Sequence, residues 1–268
     1  MTVPDWLQNL LGWRPATEKS TPVCKELFKE AIAPNIADVG TKESLRIAGA
    51  IYEQLGIPHG RQREDIPETP KANQGTPLER GIEEHIRRAL DGKDSKRRWR
   101  VTRRGSASDY AQFSHLAELQ KLLKKNENQA LRAALGRDYH IKTDILVGVA
   151  HPSPDKKPFL HAAISCKWSI RSDRVQNVRH EFGTLVRHRR GRLPHLVLVT
   201  AEPLPDRLIS IARGTGEVDA VYHLLYDQLD TAVKGCGTTD KQKEDWSELV
   251  EQERVKPFRE LVDDLVLS

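Results

Sequence analysis

The chain has 268 residues, room for one large domain or two small ones, and its 38% hydrophobic and 30% charged residues are the balance of a soluble globular protein. Forty-three Lys and Arg against 38 Asp and Glu leave a net charge of +5, which permits a polyanionic partner without requiring one. Three cysteines without close spacing argue against a disulfide framework or zinc knuckle; with no signal-peptide pattern and no long apolar run, a reducing cytoplasm and no membrane are expected.

Residues 1–22 combine an apolar patch (Trp6, Leu7, Leu10, Leu11, Trp13) with a Pro/Thr/Ser-rich connector, and read as an N-terminal arm or short docking helix. From Val23 to Leu55 the pattern is helical in two pieces broken around Pro34, the second ending at Gly56. Residues 56–75 are a polar loop with three prolines, long for a structureless connection. In the helix Thr76–Leu90, Thr76 at the N-cap, Pro77 at N1 and Glu79 at N3 make a capping box. A basic stretch, KDSKRRWRVTRRG, precedes a helical pair over 108–135. Strands follow at 139–150, 159–170 and 193–203, with a helix SDRVQNVRHEFGTLVRHRR between the last two and a fourth strand in EVDAVYHLL. Residues 231–268 read as a charged, helical C-terminal extension. This order predicts an α/β fold, a mixed central β-sheet flanked by helices, in one domain over 1–268.

Asp144 and Lys167 lie in two successive apolar strands. An isolated aspartate there is costly to bury unless it is paired or binds a cation. Side chains alternate along a strand, so Ser165 and Lys167 share a face and Cys166 points the other way. If the strands pair, Asp144, Ser165 and Lys167 meet at the sheet's edge. An acid on one strand and an acid-x-Lys on the next is the metal-nuclease pattern, in which carboxylates hold Mg²⁺ against the phosphate and the lysine orients the attacking water. Here Ser165 replaces the first acid of the tripeptide, and Glu181 or Glu79 could supply the missing carboxylate. An ion pair at strand ends accounts for Asp144 and Lys167 equally well, and the capping box alone accounts for Glu79.

Just beyond the lysine, Ser172 or Asp173 can cap a helix whose N-terminal end then presents Arg171, Asp173 and Arg174. Arg pairs with guanine O6 and N7, and Asp accepts from cytosine N4, so this cluster suits adjacent G and C pairs in the major groove. A solvated helix start with a local ion pair is the plainer alternative.

The stretches LHAAISCKWSIRSDRVQNVR, RGRLPHLVLVTAEPLPDR and GTGEVDAVYH, with AALGRDYHIKTDILV and DVGTKESLRIAGAI, resemble the NgoMIV-like type IIF restriction endonucleases, which cut GCCGGC and have the PD-(D/E)XK nuclease core. The likeness runs over residues 33–228 and is densest at 131–228. It implies Asp144 as metal-binding aspartate, Lys167 as catalytic lysine, Ser165 and Cys166 as their neighbours with the Cys166 carbonyl as metal ligand, and Glu79 and Glu181 as further active-site acids. It implies Arg171, Asp173 and Arg174 as readers of the inner CCGG, and Asp38 with Arg207 as readers of the outer G:C pair. It also implies Mg²⁺, a double-stranded DNA substrate cut as G^CCGGC with 5′ CCGG overhangs, a homodimer or a homotetramer of two dimers, and a cognate DNA methyltransferase in the host. In strict register Ala72 replaces the family's minor-groove glutamine, with Gln74 two residues on. The segment between Asp144 and Lys167 is shorter than in the family. A CCGG-core nuclease with other flanking bases, or a DNA-binding protein that does not cleave, are the alternatives.

Overall fold

The computed structural model describes residues 3–60, 75–123, 133, 140–214, 217–236 and 238–267; Ala72 and Gln74 lie outside them. The N-terminal segment is docked, not a loose arm. Helix α1 (Asp5–Gln8) leads into strand β1 (Trp13–Pro15), and Leu7, Leu10, Leu11 and Trp13 are all buried in the core. Trp6 lies over Gly81, where a Cβ would sit 2.2 Å from its ring, so only glycine admits this approach.

The two helical pieces expected from Val23 to Leu55 are α2 (Thr21–Phe28) and α3 (Lys42–Gln54), with a strand between them that the pattern did not reveal. Lys29 in the left-handed region (φ 62) ends α2. Strand β2 (Ile32–Pro34) then pairs antiparallel with β1, and a two-stranded ribbon tolerates its prolines because it is all edge. Helix α4 (Gly75–Lys93) buries Leu78, Ile82, Ile86 and Leu90.

Six strands form one mixed sheet, in which spatial order follows chain order: β3 (Trp99–Arg103), β4 (Ile145–Val149), β5 (Phe159–Lys167), β6 (His195–Thr200), β7 (Ala220–His223) and β8 (Val255–Pro257). β3, β4 and β5 are antiparallel; β5 through β8 are parallel. The interior of β5 is buried at every residue from Leu160 to Cys166, as expected of a strand covered on both faces. A register shift between Val147 and Gly148 keeps Ile145 opposite Ile164. Gly148 is required there, since a Cβ would stand 2.5 Å from the Tyr110 ring.

Of the expected helical pair over 108–135, α5 (Ser114–Leu123) is described, after short 3-10 turns at Ala107–Asp109 and Ala111–Phe113. The helix between β5 and β6 is α6 (Ser172–His188), and α7 (Pro205–Ala212) joins β6 to β7. The last segment supplies α8 (Tyr226–Gly235), α9 (Asp240–Glu251), the edge strand β8 and α10 (Leu261–Leu267). It is tied in by Tyr222 donating to Asp264 at 2.6 Å and by a His161–Leu265 carbonyl bond at 2.8 Å. No helix among the described residues is long and apolar enough to cross a membrane.

Candidate active site

With Ile145 opposite Ile164, Asp144 falls beside Ser165 at the end of β5. Asp144 Oδ2 accepts from Lys167 Nζ at 2.7 Å, from the Cys166 backbone N–H at 2.7 Å and from Ser165 Oγ at 3.2 Å. All three bonds fall on one oxygen, leaving Oδ1 without a hydrogen-bond partner among the described residues. Burial first, then the Asp144 charge, pushes the Cys166 thiol well up, with Glu79 and Glu181 adding to it. The thiol therefore stays neutral, neither nucleophile nor thiolate ligand.

Glu181 approaches the same place from α6. Its carboxyl is raised to about 7 by burial and secondarily by Asp144, with Lys167 opposing. Thr143 is near enough to oppose that rise too, yet Glu181 Oε1 and Thr143 Oγ1 are each shielded from solvent with no hydrogen-bond partner of normal geometry among the described residues. An orphaned carboxylate oxygen beside a second carboxylate is a hard-oxygen donor set that suits Mg²⁺. Among the described residues no three His, Cys, Asp or Glu side chains converge as a ready metal cage.

Glu79 explains part of that. Its Oε2 accepts from Arg104 Nε at 2.9 Å and lies 3.6 Å from Arg103 Nη1. Arg104 Nη2 also donates to Thr76 Oγ1 at 2.6 Å. The expected capping box is absent, because α4 begins at Gly75, which puts Thr76 inside the helix, and Arg104 engages both side chains. Arg104 adopts the left-handed region (φ 54), and its backbone N–H donates to the Asp144 carbonyl at 2.8 Å. Two arginines of the basic run thus serve a carboxylate at the site.

Arg171 is the N-cap of α6, with extended backbone and no side-chain cap. Neither Ser172 nor Asp173 caps the helix, since both already lie within it. Arg171 and Asp173 are exposed, whereas Arg174 Nη1 folds back onto the Ser169 carbonyl at 2.7 Å and Oγ at 3.1 Å. Asp38 and Arg207 form an ion pair, and Arg207 Nη1 also donates to the Ile170 carbonyl at 3.1 Å. Burial alone would raise the Asp38 carboxyl, but the Arg207 hydrogen bond, the Gly40 N–H and the nearby Arg171 charge hold it below the usual range. A cavity of about 350 Å³ opens here, lined by Ile170, Arg171, Ser172, Asp206, Arg207 and Ser210.

The sequence matches the profile described as NgoMIV restriction enzyme over residues 23–151 and 149–267, most of the chain. The chain belongs to this family. A type II restriction enzyme, NgoMIV from Neisseria gonorrhoeae, is 42% identical over 171 residues. That alignment covers 53% of this chain and 59% of the Neisseria enzyme, so the chain spans less than two thirds of that relative's length.

In this NgoMIV-family chain Trp168 is a packing residue: it is 5% exposed, and its Nε1 donates to the Asn35 carbonyl at 3.0 Å. Sequence reasoning missed Thr143 and Glu202, and took Arg103 and Arg104 only as part of a basic run, not as partners of Glu79. For Glu202 a signal existed, a lone acid two residues past a core strand, in TAEPLP.

Glu202 neighbours His223, whose Nδ1 accepts from the Leu225 N–H at 3.1 Å, so Nε2 carries the proton and donates to the Glu202 carbonyl at 3.0 Å. Burial lowers His223 from 6.5 to about 4, and raises Glu202 from 4.5 to about 7 against the Ile170 N–H and Arg207. Stability from neutral His223 is complete above pH 6.5 and is lost as pH falls toward 4. Glu202 has the opposite sign: its contribution is most favourable below pH 4.5 and is lost as pH rises toward 7. Each amounts to about 3 kcal/mol across its window. His223→Gln should therefore gain on the parent protein in thermal melts as pH drops from 6.5 to 4.5. Parallel melting curves would refute this.

Proposed function

We propose that this protein is a Mg²⁺-dependent type II restriction endonuclease that hydrolyses both strands of GCCGGC after the first G, leaving 5′ CCGG overhangs. The observation that carries the reading is the Asp144–Lys167 pair at the end of β5, four residues before the exposed Arg171. Cutting and reading groups leave the core on one short segment.

Asp144, Glu181 and the Cys166 carbonyl would hold the metal, with Glu79 reaching it through water or after release from Arg104. Bound there, the ion would polarise the scissile phosphate and acidify water. Lys167, fixed by Asp144, orients the attacking water and offsets the negative charge gathering on the phosphorane. Ser165 and the Cys166 N–H lock the Asp144 rotamer, so the lysine meets the phosphate already positioned. Arg171, Asp173 and Arg174 address the inner CCGG, and Asp38 with Arg207 the outer G:C. The arginines of SKRRWRVTRR and VRHRRGR beyond Arg103 and Arg104 supply phosphate contacts, which position the duplex without reading it.

These residues are read as one restriction-endonuclease domain. A palindromic site calls for a two-fold dimer, and the family likeness supports two such dimers back to back. A cognate methyltransferase would protect the host's own sites. Plasmids with one and with two GCCGGC sites test metal and assembly together. Cutting in Mg²⁺ but not in EDTA, and faster on two sites, is expected. Specific binding without scission in Mg²⁺ would leave a DNA-binding protein and remove the enzyme.

A further inference from the structure

Glu202 is fully buried, yet it carries a carboxylate that the chemistry above does not use. Its Oε2 accepts from the Ile170 N–H at 2.6 Å, and its Oε1 accepts from the Leu204 N–H at 3.1 Å. Oε2 also stands 3.9 Å from Arg207 Nη1. The backbone is fixed as firmly: the Glu202 N–H donates to Thr200 Oγ1 at 3.2 Å, and the carbonyl accepts from His223.

The two bonded amides are telling. Ile170 immediately precedes Arg171, and its carbonyl is held from the other side by Arg207. Leu204 is the N-cap of α7, the helix that carries Arg207. One carboxylate therefore sets the start of the segment bearing Arg171 and the start of the helix bearing Arg207. We propose that Glu202 is a positioning residue for sequence reading, a rigid bridge that holds the outer-pair reader Arg207 in register with the inner readers. It touches no base and no phosphate. The proposal rests on the assignment of Arg207 and Asp38 to the outer pair.

A carboxylate is the right group for this role, because it accepts two backbone N–H bonds at once and still attracts a guanidinium. An amide of the same shape accepts with one atom only and turns an NH₂ toward the other N–H. Glu202→Gln should therefore loosen the bridge while filling the same volume.

The test compares kcat/KM of the parent protein and Glu202→Gln on duplexes containing GCCGGC and ACCGGT, with a thermal melt to confirm folding. The parent should prefer GCCGGC strongly, and in the variant that preference should fall about tenfold or more, the scale of one mispositioned base contact. General weakening of the fold would lower both rates and leave their ratio in place. A folded variant that keeps the parent's ratio overturns the proposal, with the assignment of Arg207 intact. A parent protein that cuts both duplexes alike removes that assignment and the proposal with it. If Glu202→Gln does not fold, Glu202→Asp, which keeps the charge but shortens the reach, takes its place in the same assay. Failure of both to fold makes Glu202 a core-stability residue and also overturns the proposal.

Discussion

Lys167→Ala should reduce single-turnover cleavage of GCCGGC by roughly a thousandfold or more, the scale of losing a positioned catalytic group, while leaving site-specific binding intact. Lys167 Nζ is 2.7 Å from Asp144 Oδ2. In the proposed reaction its removal would take away both the charge facing the phosphate and the group that orients water. The fold should survive, because Asp144 keeps its bonds from the Cys166 N–H and Ser165 and both partners are partly exposed. A gel-shift titration in EDTA, run beside quench-flow cleavage in Mg²⁺, separates the two effects. Cleavage within tenfold of the parent rate would return Asp144 and Lys167 to an ordinary ion pair at strand ends.

Arg207→Ala should cost the outer base pair. One bidentate arginine–guanine contact is worth about 1–3 kcal/mol of discrimination, or about 5- to 150-fold. Arg207 meets Asp38, the Ile170 carbonyl and the Glu202 carboxylate together, so its loss frees all three. Arg207→Lys should fail almost as badly, because an ammonium keeps the charge but lacks the planar fork that spans these partners. Competition binding across the four symmetric flanking choices measures the effect. Equal weakening on every flank would make Arg207 a phosphate contact and leave the outer bases unread.

The site was legible where chemistry follows local periodicity. The two-residue alternation of a strand placed Ser165 and Lys167 on one face and Cys166 on the other. The apolar runs located four of the six strands of the main sheet. β3 escaped because an edge strand can carry charge: WRVTR lies inside a basic run and reads as solvated, yet it pairs with β4 along its whole length. β8 escaped for its brevity, three residues between charged helices. The N-terminal apolar patch was visible, but not its partner, since nothing near Trp6 in sequence announces Gly81. Glu79 shows the same limit. Its capping box was a sound local pattern, displaced by an arginine 25 residues away. Long-range ion pairs leave no periodic trace. The Asp38–Arg207 pair, 169 residues apart, was found only through family resemblance.

Everything turns on whether one segment both cuts and reads. The direct measurement is cleavage in Mg²⁺ of a duplex library containing every NCCGGN context, with sequencing of the ends produced. Cuts confined to GCCGGC, each after the first G and leaving a four-base 5′ CCGG overhang, are the predicted result. Cuts spread across all flanks would leave Asp144 and Lys167 their chemistry but deny Asp38 and Arg207 their bases, and an uncut library that the protein still binds specifically would contradict the endonuclease reading itself.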